Sequence, residues 1–176
     1  APITCFTAEE AWQAYVGDPE NSVFYQQYQD SKPFDLQLAE DGTVWVSNGG
    51  GFAGGGVESV ARYGLGERGL VQKSLTFVGE ALKGMTLDSF GNAWVTSQAD
   101  STIYLLDTEG NEIGGFSGGG INGPWGVAVD GEDNIWVANF GPLLEQSNFV
   151  GRLSKLWGVN APDSLNIGDP ISPETG

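Results

Sequence analysis

Residues 34–48 (FDLQLAEDGTVWVSN) recur twice along the chain, at residues 83–97 (KGMTLDSFGNAWVTS) and at residues 125–139 (WGVAVDGEDNIWVAN). The three stretches align without a gap and carry one tryptophan each at the same position. Apolar and polar residues alternate on both sides of a turn rich in Asp, Gly and Asn, a pattern typical of two short strands joined by a tight turn. The sequence therefore repeats a small β unit.

The spacing of the three copies predicts how these units assemble. Trp45, Trp94 and Trp136 are separated by 49 and 42 residues. A repeat of about 40 to 50 residues with several short strands is typical of propeller blades, because one small sheet cannot bury its own faces and stacks on its neighbours. We predict an all-β chain, a β-propeller segment of about three four-stranded blades, with these tryptophans packed between blades and the Asp/Gly/Asn turns serving as tight turns.

The repeats also divide the chain. Blade 1 is predicted at residues 33–80, blade 2 at 81–122 and blade 3 at 123–176, where three prolines leave the fourth strand poorly marked. Residues 1–32 do not match the repeat. A capping box that begins at Thr7 predicts a short N-terminal helix there, followed by a segment that could pair with the edge of a blade.

Composition limits the classes of partner. The formal net charge is −16, from 23 acidic and 7 basic residues, so the surface repels phosphate backbones and no nucleic acid is expected. The chain has no run of 18 or more apolar residues, so no transmembrane segment is predicted. Its 28 glycines suit a fold with many tight turns.

Two residue types bear on chemistry. Histidine is absent, which removes the usual general base near neutral pH and every His-dependent triad. The single Cys5 excludes an internal disulfide and Cys/His zinc sites, and it is either a partly buried thiol or a group for intermolecular attachment. The opening Ala-Pro-Ile-Thr could follow a removed signal peptide, which predicts a secreted, extracellular or cell-surface protein.

One copy of the repeat carries a family resemblance. The residues that carry it are Pro124, Gly126, Asp130, Asn134, Trp136, Val137 and Asn139. Their pattern resembles the NHL repeat and the repeats of virginiamycin B lyase-like and gluconolactonase-like propellers. The resemblance implies a propeller that commonly closes with six blades, so three blades predict either self-association or further blades.

Polar side chains follow the second strand of each blade. Asn48, Gln98, Asp100 and Asn139 are predicted to lie on the face that surrounds the central channel. Gluconolactonase-like propellers hold calcium there with a Glu/Asn/Asn/Asp set, so the resemblance makes Asn48 and Asn139 candidate calcium ligands. The alternative is that these side chains only make the channel mouth polar.

Aromatic residues on or beside the glycine-rich loops form a second candidate site. Phe52, Trp125 and Phe140 could form a patch suited to the face of a sugar or to another protein, although core packing is the favoured interpretation for Trp125.

The resulting prediction is a non-catalytic extracellular module for interaction or self-assembly. It would bind protein or glycan through its loop faces or its open blade edges. The alternative is a metal-dependent lactonase or lyase of which this chain is a part. Virginiamycin B lyase-like enzymes use a catalytic histidine, and this chain has none.

Overall fold

A computed structural model describes residues 32–49, 58–67, 69–141 and 151–174. The predicted N-terminal helix, Cys5 and Phe52 lie outside these ranges. Within them the regular structure is β-strand, in the order β1 (Lys32–Leu38), β2 (Val44–Gly49), β3 (Ser59–Gly66), β4 (Gly69–Thr76), β5 (Leu82–Leu87), β6 (Ala93–Ser97), β7 (Thr102–Leu106), β8 (Glu112–Phe116), β9 (Pro124–Val129), β10 (Ile135–Asn139) and β11 (Arg152–Leu156).

The strands form three antiparallel sheets in chain order, which confirms the predicted succession of blades. Strands β1 to β4 form blade 1, β5 to β8 form blade 2, and β9 to β11 form blade 3. Where a fourth strand of blade 3 would run, Pro170 makes one bridge with Leu156, and the amides of Ile171 and Ser172 both donate to the carbonyl of Lys155. A proline has no amide proton for a continuous ladder, so this segment stays irregular.

The blades pack face to face, and the tryptophans occupy equivalent places. Trp45 of blade 1 lies in an apolar cluster with Leu82, Met85 and Val95 of blade 2. Trp94 of blade 2 lies in the next cluster, with residues of blade 3 that include Ile135, Val137 and Leu156. Packing between blades is therefore confirmed for Trp45 and Trp94. Trp136 has the same position in blade 3 but is only half-buried, because no described blade follows it.

One five-residue turn occurs four times. In each copy the first amide donates to the fifth carbonyl, and the fourth amide donates back to the first carbonyl. The fourth residue has a positive φ, which glycine adopts without strain. This geometry confirms the tight-turn interpretation. The copies are residues 39–43, 88–92, 107–111 and 130–134.

Hydroxyl groups join each blade to the next. Ser47 Oγ donates to the carbonyl of Lys83 (3.2 Å), and Thr96 Oγ1, one repeat later, donates to the carbonyl of Trp125 (3.0 Å). Blades 2 and 3 approach so closely that a Cβ on Gly84 would lie 2.8 Å from that Trp125 oxygen. At the repeat position of Ser47 and Thr96, blade 3 has Ala138, which is exposed and has no hydroxyl.

Candidate functional site

Blade 3 is the last of the described blades, and one of its faces is uncovered. The corresponding faces of blades 1 and 2 are buried against the next blade. Pairing of β10 with β11 places Trp136 opposite Lys155 and Ala138 opposite Leu153, all four on the side away from blade 2. We call these four residues the outward face. Ala138 is exposed, and Leu153 is 53% exposed. The site is thus a sheet surface built to the same pattern as two buried interfaces.

The centre of the outward face is a charged and aromatic cluster. Trp136 Nε1 donates to Asp130 Oδ2 (2.9 Å), and Lys155 Nζ lies 4.6 Å from the centre of the tryptophan ring and 3.3 Å from Asp130 Oδ2. The hydrogen bond from Trp136 is the largest of the influences that hold the pKa of Asp130 below its usual range. The carboxylate therefore stays ionised and fixes the orientation of the indole.

The opposite end of the stack presents the complementary surface. Leu36, Leu38, Val44 and Val46 of blade 1 occupy the repeat positions at which blades 2 and 3 present apolar side chains to the preceding blade. We call these four residues the far face. Leu38 is 60% exposed, and the other three are half-buried. Their equivalents in the second strands, Ala93 and Val95 of blade 2 and Ile135 and Val137 of blade 3, are buried completely.

The side chains predicted at the channel face lie in different settings. Gln98 is buried, and its Nε2 donates to the carbonyl of Gly141 (3.4 Å). Asn139 is buried and donates to Ser154 Oγ (2.9 Å), while Asn48 is half-buried and donates to Ser59 Oγ (3.2 Å). Exposed Asp100 accepts a hydrogen bond from the Tyr104 hydroxyl (2.9 Å).

These asparagines do not by themselves make a calcium site. Asn139 Oδ1 already accepts a hydrogen bond from the amide of Asn122 (2.9 Å). Among the described residues, no group of three or more Asp, Glu, His or Cys side chains gathers where a metal ion could bind. Calcium needs six to eight oxygen ligands, so Asn48 and Asn139 would need further ligands, and their role as calcium ligands stays a prediction.

The predicted aromatic pair does form. The rings of Trp125 and Phe140 lie 5.1 Å apart, and both side chains are exposed, at 38% and 48%. Lys83 Nζ lies 4.9 Å from the Trp125 ring, and burial lowers the pKa of this lysine. Trp125 thus joins a surface patch with Phe140, and the expectation that it packs in the core is wrong.

The turn of blade 1 predicts how stability depends on pH. Asp41 accepts hydrogen bonds from the hydroxyl and amide of Thr43 and pairs with Arg62, and these contacts, led by the Thr43 hydroxyl, lower the pKa of Asp41 to about 2. The unfolded value is about 3.9. Because the folded pKa is the lower one, the contribution is present above pH 4 and is lost as the pH falls toward 2.

We therefore expect the difference in melting temperature between the wild type and Asp41→Asn to shrink between pH 5 and pH 2. Asp41 is exposed, so the effect is a small one. Thermal melts followed by circular dichroism at several pH values measure it. A difference that stays constant across this range would contradict the assignment.

Two comparisons with known proteins found no relative of this chain. No protein-family model and no curated protein matches the sequence. No helix among the described residues is long and apolar enough to cross a membrane.

Solved structures do match. A catalytically inactive variant of virginiamycin B lyase from Staphylococcus aureus, solved with quinupristin, is 17% identical at a TM-score of 0.53, over 76% of this chain and 40% of that chain. A streptogramin B lyase is 20% identical at 0.50, over 74% and 39%. A protein assigned as a gluconolactonase is 21% identical at 0.50, over 65% and 44%. The propeller fold is thereby confirmed, and the chain spans about two fifths of these neighbours.

Proposed function

We propose that this chain is a non-catalytic assembly module in which the outward face of one copy stacks on the far face of a second copy. The observation that carries the proposal is the outward face itself, because it presents in blade 3 the tryptophan position by which blades 1 and 2 pack on their neighbours, although Ala138 replaces their hydroxyl residue. An extracellular location is part of the same proposal and is tested by secretion of the native protein.

The two ends suit each other in chemistry. The outward face offers a half-buried indole and exposed Leu153, and the far face offers exposed Leu38 beside half-buried valines. Burial of such surface is favourable at about 25 cal/mol per Å² before the costs of association. Because the two faces differ, the contact is head-to-tail, and it closes as a ring or continues as a filament according to the rotation between copies.

Charge opposes this association. Each copy carries a formal charge of −16, so two copies repel each other at low salt. Salt screens this repulsion over a distance of about 8 to 10 Å at physiological ionic strength. We therefore expect self-association to tighten as salt is raised, the behaviour of a mainly apolar contact between like-charged molecules.

Leu153→Asp tests the proposal. A carboxylate within the contact, beside the cluster at its centre, is expected to weaken self-association by about tenfold or more, because a charge would be buried in an apolar part of the contact. Sedimentation velocity over a range of protein and salt concentrations measures the effect. Ile113→Asp is the matched control, since Ile113 is 55% exposed on the outer strand of blade 2. A wild-type chain that stays monomeric at all salt concentrations, or equal effects of both variants, would refute the assembly.

A second candidate function is that the chain forms part of a propeller enzyme. It is favoured by the neighbours of like fold, which include a virginiamycin B lyase and a streptogramin B lyase. The absence of histidine counts against it, because virginiamycin B lyase-like enzymes use a catalytic histidine. Hydrolysis of a simple lactone or linearisation of a streptogramin by the native protein, with and without added calcium, would decide for this candidate.

A further inference from the structure

The tryptophan of blade 1 lacks the partner that the other two have. Trp94 Nε1 donates to Asp88 Oδ2 (3.1 Å), and Trp136 Nε1 donates to Asp130 Oδ2 (2.9 Å), in each case a carboxylate six residues earlier in the chain. In blade 1 that position is Ala39. Among the described residues no acceptor bonds to the N–H of Trp45, although the side chain is 1% exposed. This N–H is not one of the fully buried side-chain atoms that lack a partner among the described residues, so it keeps access to solvent, and a ligand that enters there gains a hydrogen bond.

A groove opens at this place, between the turns of blades 1 and 2. It has a volume of about 360 Å³, and Trp45 and Ala39 both line it. This volume lies within the range of small-molecule sites, about 300 to 1,000 Å³. Phe90, 63% exposed, and Leu38 supply apolar walls, and Arg62 lies with its guanidinium carbon 5.7 Å from the centre of the Trp45 ring.

The charges around the groove define which ligand group it can take. Its carboxylates are Glu40, Asp41 and Asp88, and its cation Arg62 already pairs with Asp41 (2.6 Å). A ligand carboxylate would meet this excess of negative charge, and an ammonium group has no lone pair to accept the indole proton. A hydroxyl group accepts the indole hydrogen bond and also donates to a carboxylate. The chemistry therefore selects a neutral group that is both acceptor and donor.

We propose that the groove between blades 1 and 2 binds a neutral saccharide, one of whose hydroxyl oxygens takes the place of the missing Asp carboxylate. The exposed ring of Phe90 offers the apolar face of the sugar a surface to pack on. The groove shares Leu38 with the far face, but its other lining residues lie outside both stacking faces. Saccharide binding is therefore a separate property of the chain, which a monomer would retain.

Ala39→Asp tests the proposal because it supplies the carboxylate that the other blades have. We expect at least one of glucose, maltose, cellobiose and N-acetylglucosamine to bind the native chain, as measured by ligand-observed NMR and titration. Ala39→Asp should weaken that binding by about tenfold or more, since the substituted carboxylate occupies the site. The matched control is Ala99→Asp, which adds the same charge at an exposed turn and should change the affinity by less than about twofold.

Two further measurements make the test decisive. Glucuronate should bind more weakly than glucose, because its carboxylate meets Glu40, Asp41 and Asp88. Phe90→Ala removes an exposed ring without disturbing the core, and it should weaken saccharide binding even if Ala39→Asp folds poorly. Failure of all four saccharides to bind, binding that survives both groove variants, or a preference for glucuronate would each overturn the proposal.

Discussion

Trp94→Ala is expected to lower the free energy of unfolding by about 3 to 5 kcal/mol, the usual cost of removing a large buried aromatic side chain. Trp94 is 0% exposed, its ring lies 5.6 Å from that of Phe116, and its N–H is bonded to Asp88. The substitution would leave a cavity between blades 2 and 3 and a buried carboxylate without one of its donors. Urea denaturation followed by circular dichroism measures the loss.

Trp136→Ala is the matched comparison, since it removes the same residue from the same repeat position in blade 3. Trp136 is half-buried and contacts Lys155 and Asp130 at the surface, so we expect a loss of about 1 to 2 kcal/mol. Both substitutions should be made in the Leu153→Asp background, so that self-association does not cover the outward face. Equal losses at Trp94 and Trp136 would mean that the last blade is covered within a single chain, which would contradict the open stack.

The repeat made the blades predictable. A period of two along each strand and a tryptophan at a fixed position are local features, so the strands could be placed from the sequence and the order of the sheets followed. The tight turns were predictable for the same reason, since the positive φ of the fourth residue favours glycine, which three of the four copies have, while Asp133 adopts it in the fourth.

The surfaces at the two ends could not be predicted in this way. Blade 3 has the same tryptophan position as the blades in which that tryptophan is buried. Only the stacking order shows that Trp136 and Ala138 face outward. The one signal was negative: at the position of Ser47 and Thr96, whose hydroxyls reach the next blade, blade 3 has alanine. The groove beside Trp45 had a comparable signal, Ala39 in place of the repeated Asp, but its meaning depends on contacts that only the folded chain shows.

The proposed roles rest on different parts of the molecule. Assembly depends on the outward and far faces, and saccharide binding depends mainly on a turn at the junction of blades 1 and 2.

The channel-side residues Asn48, Gln98, Asp100 and Asn139 stay a prediction for binding. Gln98 is the most informative of them, because its Oε1 is buried and has no hydrogen-bond partner in the described part of the chain, while its Nε2 reaches blade 3. A polar atom in that state is costly to the fold, so the position is a sensitive one for mutation.

Asp88→Ala is the second substitution with a large expected effect, about 3 kcal/mol of lost stability, since a buried carboxylate holds both the turn and the tryptophan. Asp88 is 6% exposed. Its Oδ1 accepts from the amides of Phe90 and Asn92, and its Oδ2 accepts from Asn92 Nδ2 (3.0 Å) and Trp94 Nε1 (3.1 Å). Without it, the buried indole N–H and the amides of the turn lose their acceptor together.

Asp107 offers a control in the same five-residue turn. It accepts from the amides of Glu109 and Asn111 and from Asn111 Nδ2, but no tryptophan of the described residues donates to it, and it is more exposed than Asp88. We expect Asp107→Ala to cost about 1 kcal/mol. Asp88→Asn should fall between the two, because one amide oxygen can still serve the turn while the amide nitrogen cannot accept from Trp94 Nε1. Urea denaturation of the three variants gives the comparison. If Asp88→Ala and Asp107→Ala cost the same, the bond to the tryptophan contributes nothing, and the missing Asp at Ala39 would no longer mark a binding site.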